Sequence, residues 1–270
     1  MKTIGFALFC CLIGGKLNAQ TASFAGKAGA IGFELPLATN WGEAKHFPQA
    51  STEQWQGYTM GARISAFPGL AGMQLAEFGA AYRKKVYHAA LYADFFGDAL
   101  FGWQHYHFST GLPLGKIRLG AGLGLYRWWV NDHHSSQWQG KIGLSGIFKP
   151  PWNWHLAFQM AAPQPRQESL LAGAPPSRAF LALSHRLGPV DVWATYQHQA
   201  GTEADYGLAL FWKINPKFQF DLACAPRNQR LSLGFMWTHQ GLQWHLQARW
   251  QQLPGLWYDN TLIWRSSHVP

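Results

Sequence analysis

From about Trp55 to the C-terminus the chain alternates apolar and polar side chains with period two. Gly241 to Gln251 shows this most plainly: Leu242, Trp244, Leu246, Ala248 and Trp250 share one face, and Gln243, His245, Gln247, Arg249 and Gln251 share the other. Along Lys116 to Tyr126, Ile117, Leu119, Ala121, Leu123 and Leu125 oppose Arg118, Gly120, Gly122 and Gly124. Leu231, Leu233, Phe235 and Trp237 likewise oppose Arg230, Ser232, Gly234 and Thr238. The sets Tyr206/Leu208/Leu210/Trp212, Phe218/Phe220/Leu222, Trp154/Leu156/Phe158/Met160 and Trp138/Ile142/Leu144/Phe148 continue the pattern. Successive side chains of a strand point to opposite faces, so each run predicts a strand with one face in an apolar medium. Helical spacing fits these stretches worse, and glycine and strong strand formers fill them.

The connections carry a second periodicity. Lys84-Lys85, Gly188-Pro189, Asn215-Pro216 and Gln240-Gly241 read as very tight turns. Between them fall longer links: Phe96 to Ala99, Asn131 to Ser136, Pro163 to Ser177, Ala200 to Glu203 and Ala225 to Asn228. Transmembrane barrels of outer membranes have short periplasmic turns and longer external loops. Roughly fourteen strands, in the range of about twelve to fourteen, fit the chain. The proline-rich link from Pro163 to Ser177 belongs outside.

Composition then decides the medium. Only 13% of residues are charged, against about 25% in a soluble domain. Aromatic residues make up 16%, too many for a disordered chain. The mean hydropathy is −0.15, and after the first residues no run of about 18 apolar residues offers a membrane helix. A soluble sandwich would also alternate, but its outer faces would be charged. Here the polar face is Gln, Gly, His, Ser and Thr with scattered Arg, suited to a wet lumen. Trp128-Trp129, Trp152, Trp154, Trp212, Trp237, Trp244, Trp250, Trp257 and Trp264 fall near strand ends, as for rings anchored at a membrane interface. The expected fold is all-β: a transmembrane antiparallel up-and-down barrel in the bacterial outer membrane, touching membrane lipids. A secreted soluble β protein is the alternative.

Residues 1–19 read as a signal peptide, with Lys2 before an apolar stretch and Leu17-Asn18-Ala19 as the cleavage site. Leu8-Phe9 before Cys10 argues against lipidation. Cleavage would leave Cys224 as the only cysteine, with no thiolate zinc cluster. Residues 20–54 break the alternation and are rich in Gly and Ala. About eight strands already give a filled interior, so a wider barrel needs an occupant or conducts. The expectation is a plug at 20–54 inside a barrel at 55–270, with Trp41 and Phe47 packed on inward Gly120, Gly122 and Gly124.

The order Gly26-Lys27-Ala28-Gly29-Ala30-Ile31-Gly32, Asn40-Trp41 and Phe47-Pro48-Gln49-Ala50 resembles the start of the FadL-like barrels, including the PorV/PorQ-type proteins of Bacteroidota. Those proteins have a Gly/Ala-rich stretch, an Asp-Trp or Asn-Trp turn and an Asn-Pro-Ala segment before a fourteen-stranded barrel. Asn40-Trp41 matches; Phe47-Pro48-Gln49-Ala50 stands where Asn-Pro-Ala would be. The resemblance implies an N-terminal segment inside the barrel, and either passage of a hydrophobic compound or a role beside type IX secretion proteins.

Candidate chemistry is sparse. His105 and His107 share a strand face, with His88 on the preceding strand, so they can meet in the lumen. Asp132-His133-His134 sits in an expected external loop able to attract a metal. Ser145 lacks the second glycine of a nucleophile elbow at the needed place, and Asp94, Asp191, Asp205 and Asp221 fall on different strands. Gly120-Ala121-Gly122-Leu123-Gly124 lacks the Lys-Ser/Thr ending of a phosphate loop. The net charge of +9 comes without a basic run, which excludes a nucleic-acid partner. Arg63, Arg83, Arg118, Lys141, Arg186, Arg230 and Arg249 either make a cationic lumen for anionic solutes or pair with lumen acids. No catalytic residue, cofactor or metal is expected. The leading reading is a barrel that binds or passes a hydrophobic or amphipathic compound, with Arg118, Arg249, His105 and His107 among its lumen contacts. The others are a non-conducting partner-binding barrel of a secretion apparatus and a barrel enzyme.

Overall fold

The computed structural model describes residues 57–66, 74–84, 87–97, 101–149, 152–162, 177–199, 204–227, 229–251 and 255–266. They form fourteen strands: β1 (Gly57–Ala66), β2 (Gln74–Lys84), β3 (Tyr87–Gly97), β4 (Phe101–Leu114), β5 (Ile117–Val130), β6 (His133–Lys149), β7 (Trp152–Ala161), β8 (Arg178–Leu187), β9 (Val190–Gln199), β10 (Asp205–Asn215), β11 (Phe218–Ala225), β12 (Arg230–His239), β13 (Leu242–Gln251) and β14 (Gly255–Arg265). Each pairs antiparallel with its neighbours in sequence. β1 pairs with β14 from Thr59↔Arg265 to Ala66↔Tyr258, closing the barrel. Closure gives every strand two partners, which is what lets a sheet lie in hydrocarbon without unpaired backbone at an edge.

The turns sort by end. At the end that holds the start of β1 and the end of β14, all six connections are two residues long. At the other end they run from two residues between β5 and β6 to residues 162–177 between β7 and β8. The short-turn end corresponds to the periplasmic side of such barrels. Gly115-Lys116 is a further tight turn, which the sequence pattern does not mark. The expected loop from Asn131 to Ser136 is corrected: Asn131 takes a left-handed φ of 50°, the turn is only Asn131-Asp132, and the ladder resumes at once with His133 opposite Val130 and His134 opposite Trp129. Residues 133–138 of β6 have ladder partners only on β5, so this hairpin projects beyond β7.

The alternation reads outward and inward as expected. On β13, Trp244, Leu246 and Trp250 are exposed, while Gln243, His245, Gln247 and Arg249 are buried. On β5, Ile117, Leu119 and Leu123 are exposed and Gly120 and Gly124 are buried. A continuous outer belt of Ile64, Phe78, Leu91, Phe108, Leu123, Ile142, Phe158, Leu208, Leu233 and Leu262 results. Outward rings border it toward the short turns (Tyr58, Tyr87, Trp152, Trp212, Trp264) and toward the loops (Tyr106, Trp138, Tyr196, Tyr206, Trp250, Tyr258). A belt of this size would drive aggregation in water and is the ordinary exterior in a bilayer. Two tryptophans leave the expected girdle. Trp128 is 3% exposed and Trp257 2%, both inside. Period two forbids adjacent Trp128 and Trp129 from sharing the lipid side.

The register makes a direct prediction. Leu246→Arg places a charge on the lipid side and should cost about 2–4 kcal/mol of assembly near the midplane. Gln247→Arg, one residue on, enters the polar lumen and should cost less. Heat-modified gel migration across a urea series would measure both, and equal losses would refute the facing assigned to β13.

Candidate functional site

The inward positions form the wall of the lumen, and their chemistry is sided. On β14 and β1–β6 the register lines up Thr261, Arg63, Glu77, Asp94, His105, Tyr126 and Gln137 as successive partners. Within that row Arg63 Nη2 makes an ion pair with Glu77 Oε2. His105 Nδ1 lies 3.4 Å from Asp94 Oδ2.

A second network joins β11, β13, β14 and β1. His245 Nε2 lies 2.7 Å from Asp221 Oδ1, and Gln247 Nε2 donates to Asp221 Oδ2 at 3.0 Å. Arg249 Nε donates to Gln247 Oε1 at 2.8 Å and lies 2.5 Å from Asp259 Oδ2. Ser65 Oγ donates to Asp259 Oδ1. Asp221, Gly234 and Gln247 are register partners on three successive strands. A Cβ at residue 234 would sit 2.3 Å from Asp221 Oδ2, so glycine there is what lets the carboxylate cross β12 to reach β13.

These groups bear on the question raised by the arginines. Among the described residues the buried Lys, Arg, Asp and Glu are Arg63, Lys141, Arg178, Arg230 and Arg249 against Glu77, Asp94, Asp205, Asp221 and Asp259. Arg63 and Arg230 both lie within electrostatic reach of Asp259. At the short-turn rim Arg186 binds Asp191 at 2.7 Å, with Lys213 at 3.5 Å. Among the described bases, Arg63 and Arg249 inside the wall and Arg186 and Lys213 at the rim pair with acids. Buried charges persist only when paired and hydrogen-bonded.

The wall on β7–β11 differs. Ala157, Phe180, Ala182, Trp193, Ala209, Phe211 and Ala223 pack there as one apolar cluster. His155 stacks on Trp193 with centroids 5.5 Å apart.

The expected site residues divide accordingly. Trp41 and Phe47 lie outside the described residues. Arg118 is half-buried on the inner side of β5, beside buried Gly120. A Cβ at Gly122 would meet His107 Cε1 at 2.6 Å, and one at Gly124 would meet His105 Nε2 at 2.9 Å. The rings of β4 therefore use the space over Gly122 and Gly124 that the sequence reading gave to a plug. His105 and His107 stack at 5.8 Å, and His88 is buried opposite Gly111. Arg249 belongs to the second network. His133 and His134 are exposed at the start of β6. Among the described residues no group of three His, Cys, Asp or Glu side chains is arranged to hold a metal ion. Ser145 faces His155 in register, on different strands from both acid–imidazole pairs. The sequence pattern puts His245 and Gln247 on the polar face of their strand and leaves Glu77 and Asp259 unmarked; strand parity places all four inside, but nothing local marks their partners.

These features define a fourteen-stranded transmembrane β-barrel with a polar, charge-paired lumen. No protein-family model matches the chain, and no curated protein matches it. Solved structures do. The Acinetobacter baumannii outer membrane protein Omp33 aligns at a TM-score of 0.54 with 8% identity, covering 78% of this chain and 98% of that one. A mutant of the TodX monoaromatic hydrocarbon channel aligns at 0.56 with 8% identity, covering 83% and 92%. A bacterial polysaccharide outer membrane secretin aligns at 0.52 with 8% identity, covering 78% and 99%. At these identities the likeness is one of fold. The chain has the fold of the outer-membrane barrels, and its apolar belt sets that fold in a bilayer.

Proposed function

We propose that this barrel binds a hydrophobic or amphipathic compound in its lumen and passes it across the outer membrane. The observation that carries this reading is the sided lumen. The apolar strip of Ala157, Phe180, Trp193 and Phe211 lies on β7–β10, and the charged networks on β1–β4 and β11–β14 supply hydrogen bonds. Pockets that hold organic ligands pair such apolar lining with a few placed polar groups. The fold neighbour described as a monoaromatic hydrocarbon channel supports the same class of cargo. Residues 1–19 are proposed as the export signal and residues 20–54 as a plug. The FadL-like resemblance supports that layout.

The test is flux. Proteoliposomes containing the full barrel should take up toluene or phenol faster than protein-free vesicles of the same lipid. Uptake no faster than in protein-free vesicles would overturn the proposal.

A further inference from the structure

The charge of the inner wall changes along the barrel axis. Among the described residues the buried Lys and Arg are matched in number by buried Asp and Glu. At the short-turn mouth the balance fails. Arg83 on β2, Arg118 on β5, Arg186 on β8, Lys213 on β10 and Arg265 on β14 each lie within three residues of the strand end there. Each sits two residues from a buried inward position, namely Ala81, Gly120, Ser184, Phe211 and Ile263, and so shares the inward parity. Asp191, the second residue of β9, is the only acid at this end among the described residues. The five strands are spread through the closed barrel, so the bases encircle the mouth instead of crowding one side. Lys84, Lys116 and Lys217, in or beside the tight turns of this end, are exposed and add to the excess.

The second observation concerns access. The side chains of Arg186 and Lys213 are 57% and 52% exposed, and they share one carboxylate, Asp191, at 2.7 Å and 3.5 Å. A solute arriving at the mouth therefore meets them directly. The chain's remaining acids leave the excess in place. Asp98, Asp132, Glu168 and Glu203 belong to the links at the opposite end. Glu34, Glu43 and Glu53 precede β1 together with Lys27 and Lys45, which offset two of the three. Rings of Arg and Lys at a wet mouth concentrate anions and repel cations. The effect reaches about one Debye length, roughly 8–10 Å at ordinary ionic strength, and weakens with salt.

From these observations we propose that the short-turn mouth is an anion-binding vestibule, and that the compound passing it is an organic anion, an apolar body bearing a carboxylate, sulfonate or phosphate. The second part deepens the transport reading and rests on it; the first does not. The full-length chain in non-ionic detergent should bind pyrenetetrasulfonate, a fluorescent aromatic anion, as read by anisotropy at about 50 mM salt. Raising the salt to about 500 mM should weaken binding about tenfold or more. The variant Lys116→Glu/Lys213→Glu/Lys217→Glu reverses three exposed charges and should weaken it about tenfold at low salt. The milder Lys213→Gln/Lys217→Gln should weaken it about threefold, and serves if the triple variant loses its heat-modified migration. In proteoliposomes, benzenesulfonate should enter about fivefold or more faster than phenyltrimethylammonium, two ring compounds of fixed and opposite charge. Absence of binding at low salt, or a folded variant that binds like the parent, overturns the vestibule. Binding at the mouth with equal uptake of the two ions overturns the anionic cargo alone. Binding at the mouth supports the vestibule even where neither ion nor the phenol and toluene probes enter faster than into protein-free vesicles; that outcome sinks the transport reading.

Discussion

Asp259→Ala is expected to destabilise the barrel by about 3–5 kcal/mol, the cost of removing one partner of a buried ion pair. Asp259 is 2% exposed and accepts from Ser65 on β1 while pairing with Arg249 on β13. It therefore ties three strands at the seam where β1 meets β14. Without it Arg249 keeps Gln247 but faces Arg63 and Arg230, whose charges it already feels. The loss is chiefly that of an uncompensated buried cation rather than of one hydrogen bond. The double variant Arg249→Leu/Asp259→Leu removes both charges and should recover most of the stability. Urea midpoints of the reconstituted barrel, read by heat-modified gel migration, would measure all three proteins. A single variant within about 0.5 kcal/mol of the parent, the range of an ordinary surface change, would show that the seam does not depend on this pair.

The outer surface was far more legible than the lumen, for a physical reason. Lipid accepts only apolar side chains, so every second residue of β5, β12 and β13 declares its side, and the alternation of short and long links counts the strands. The lumen accepts Gln, Ser, Asp, Arg or a bare glycine, so its sequence constrains composition and not partners. Asp221 meets His245 and Gln247 only because Gly234 lies between them in register. No single strand contains that information. The same holds for Gly122 and Gly124, whose spacing is plain in the sequence but whose occupants come from β4. His133 and His134 were misplaced because Asn-Asp next to two histidines reads as loop; the left-handed φ of Asn131 shortens the turn to two residues. Trp128 and Trp257 were assigned to the girdle from proximity to strand ends. Strand parity applied to each ring sends both inside, where Trp128 packs beside Tyr126.

Deletion of residues 20–54, with the signal retained, is expected to leave a folded barrel of much larger conductance in planar bilayers. The fourteen strands exceed the roughly eight that side chains alone can fill. The described wall does not supply the missing volume: the β7–β11 strip is largely alanine, with Ala157, Ala182, Ala209 and Ala223 among its members. Yet Ala182 and Ala209 are 0% exposed, and across the barrel Thr261 is 1% exposed. Phe180, Trp193 and Phe211 of the same cluster pack with these alanines, but such a thin lining leaves the middle of a fourteen-stranded barrel to be filled. The segment at 20–54 is the stretch the alternation leaves without a strand to form, which is why it is proposed as the occupant. Its removal should also leave the outer belt untouched, so the truncated chain should still assemble and keep its heat-modified migration. Ion current per channel then separates the possibilities. A large increase supports the plug. A truncated barrel that assembles and conducts no better than the intact chain would refute it, and would assign closure of the lumen to the loops at the long-turn end.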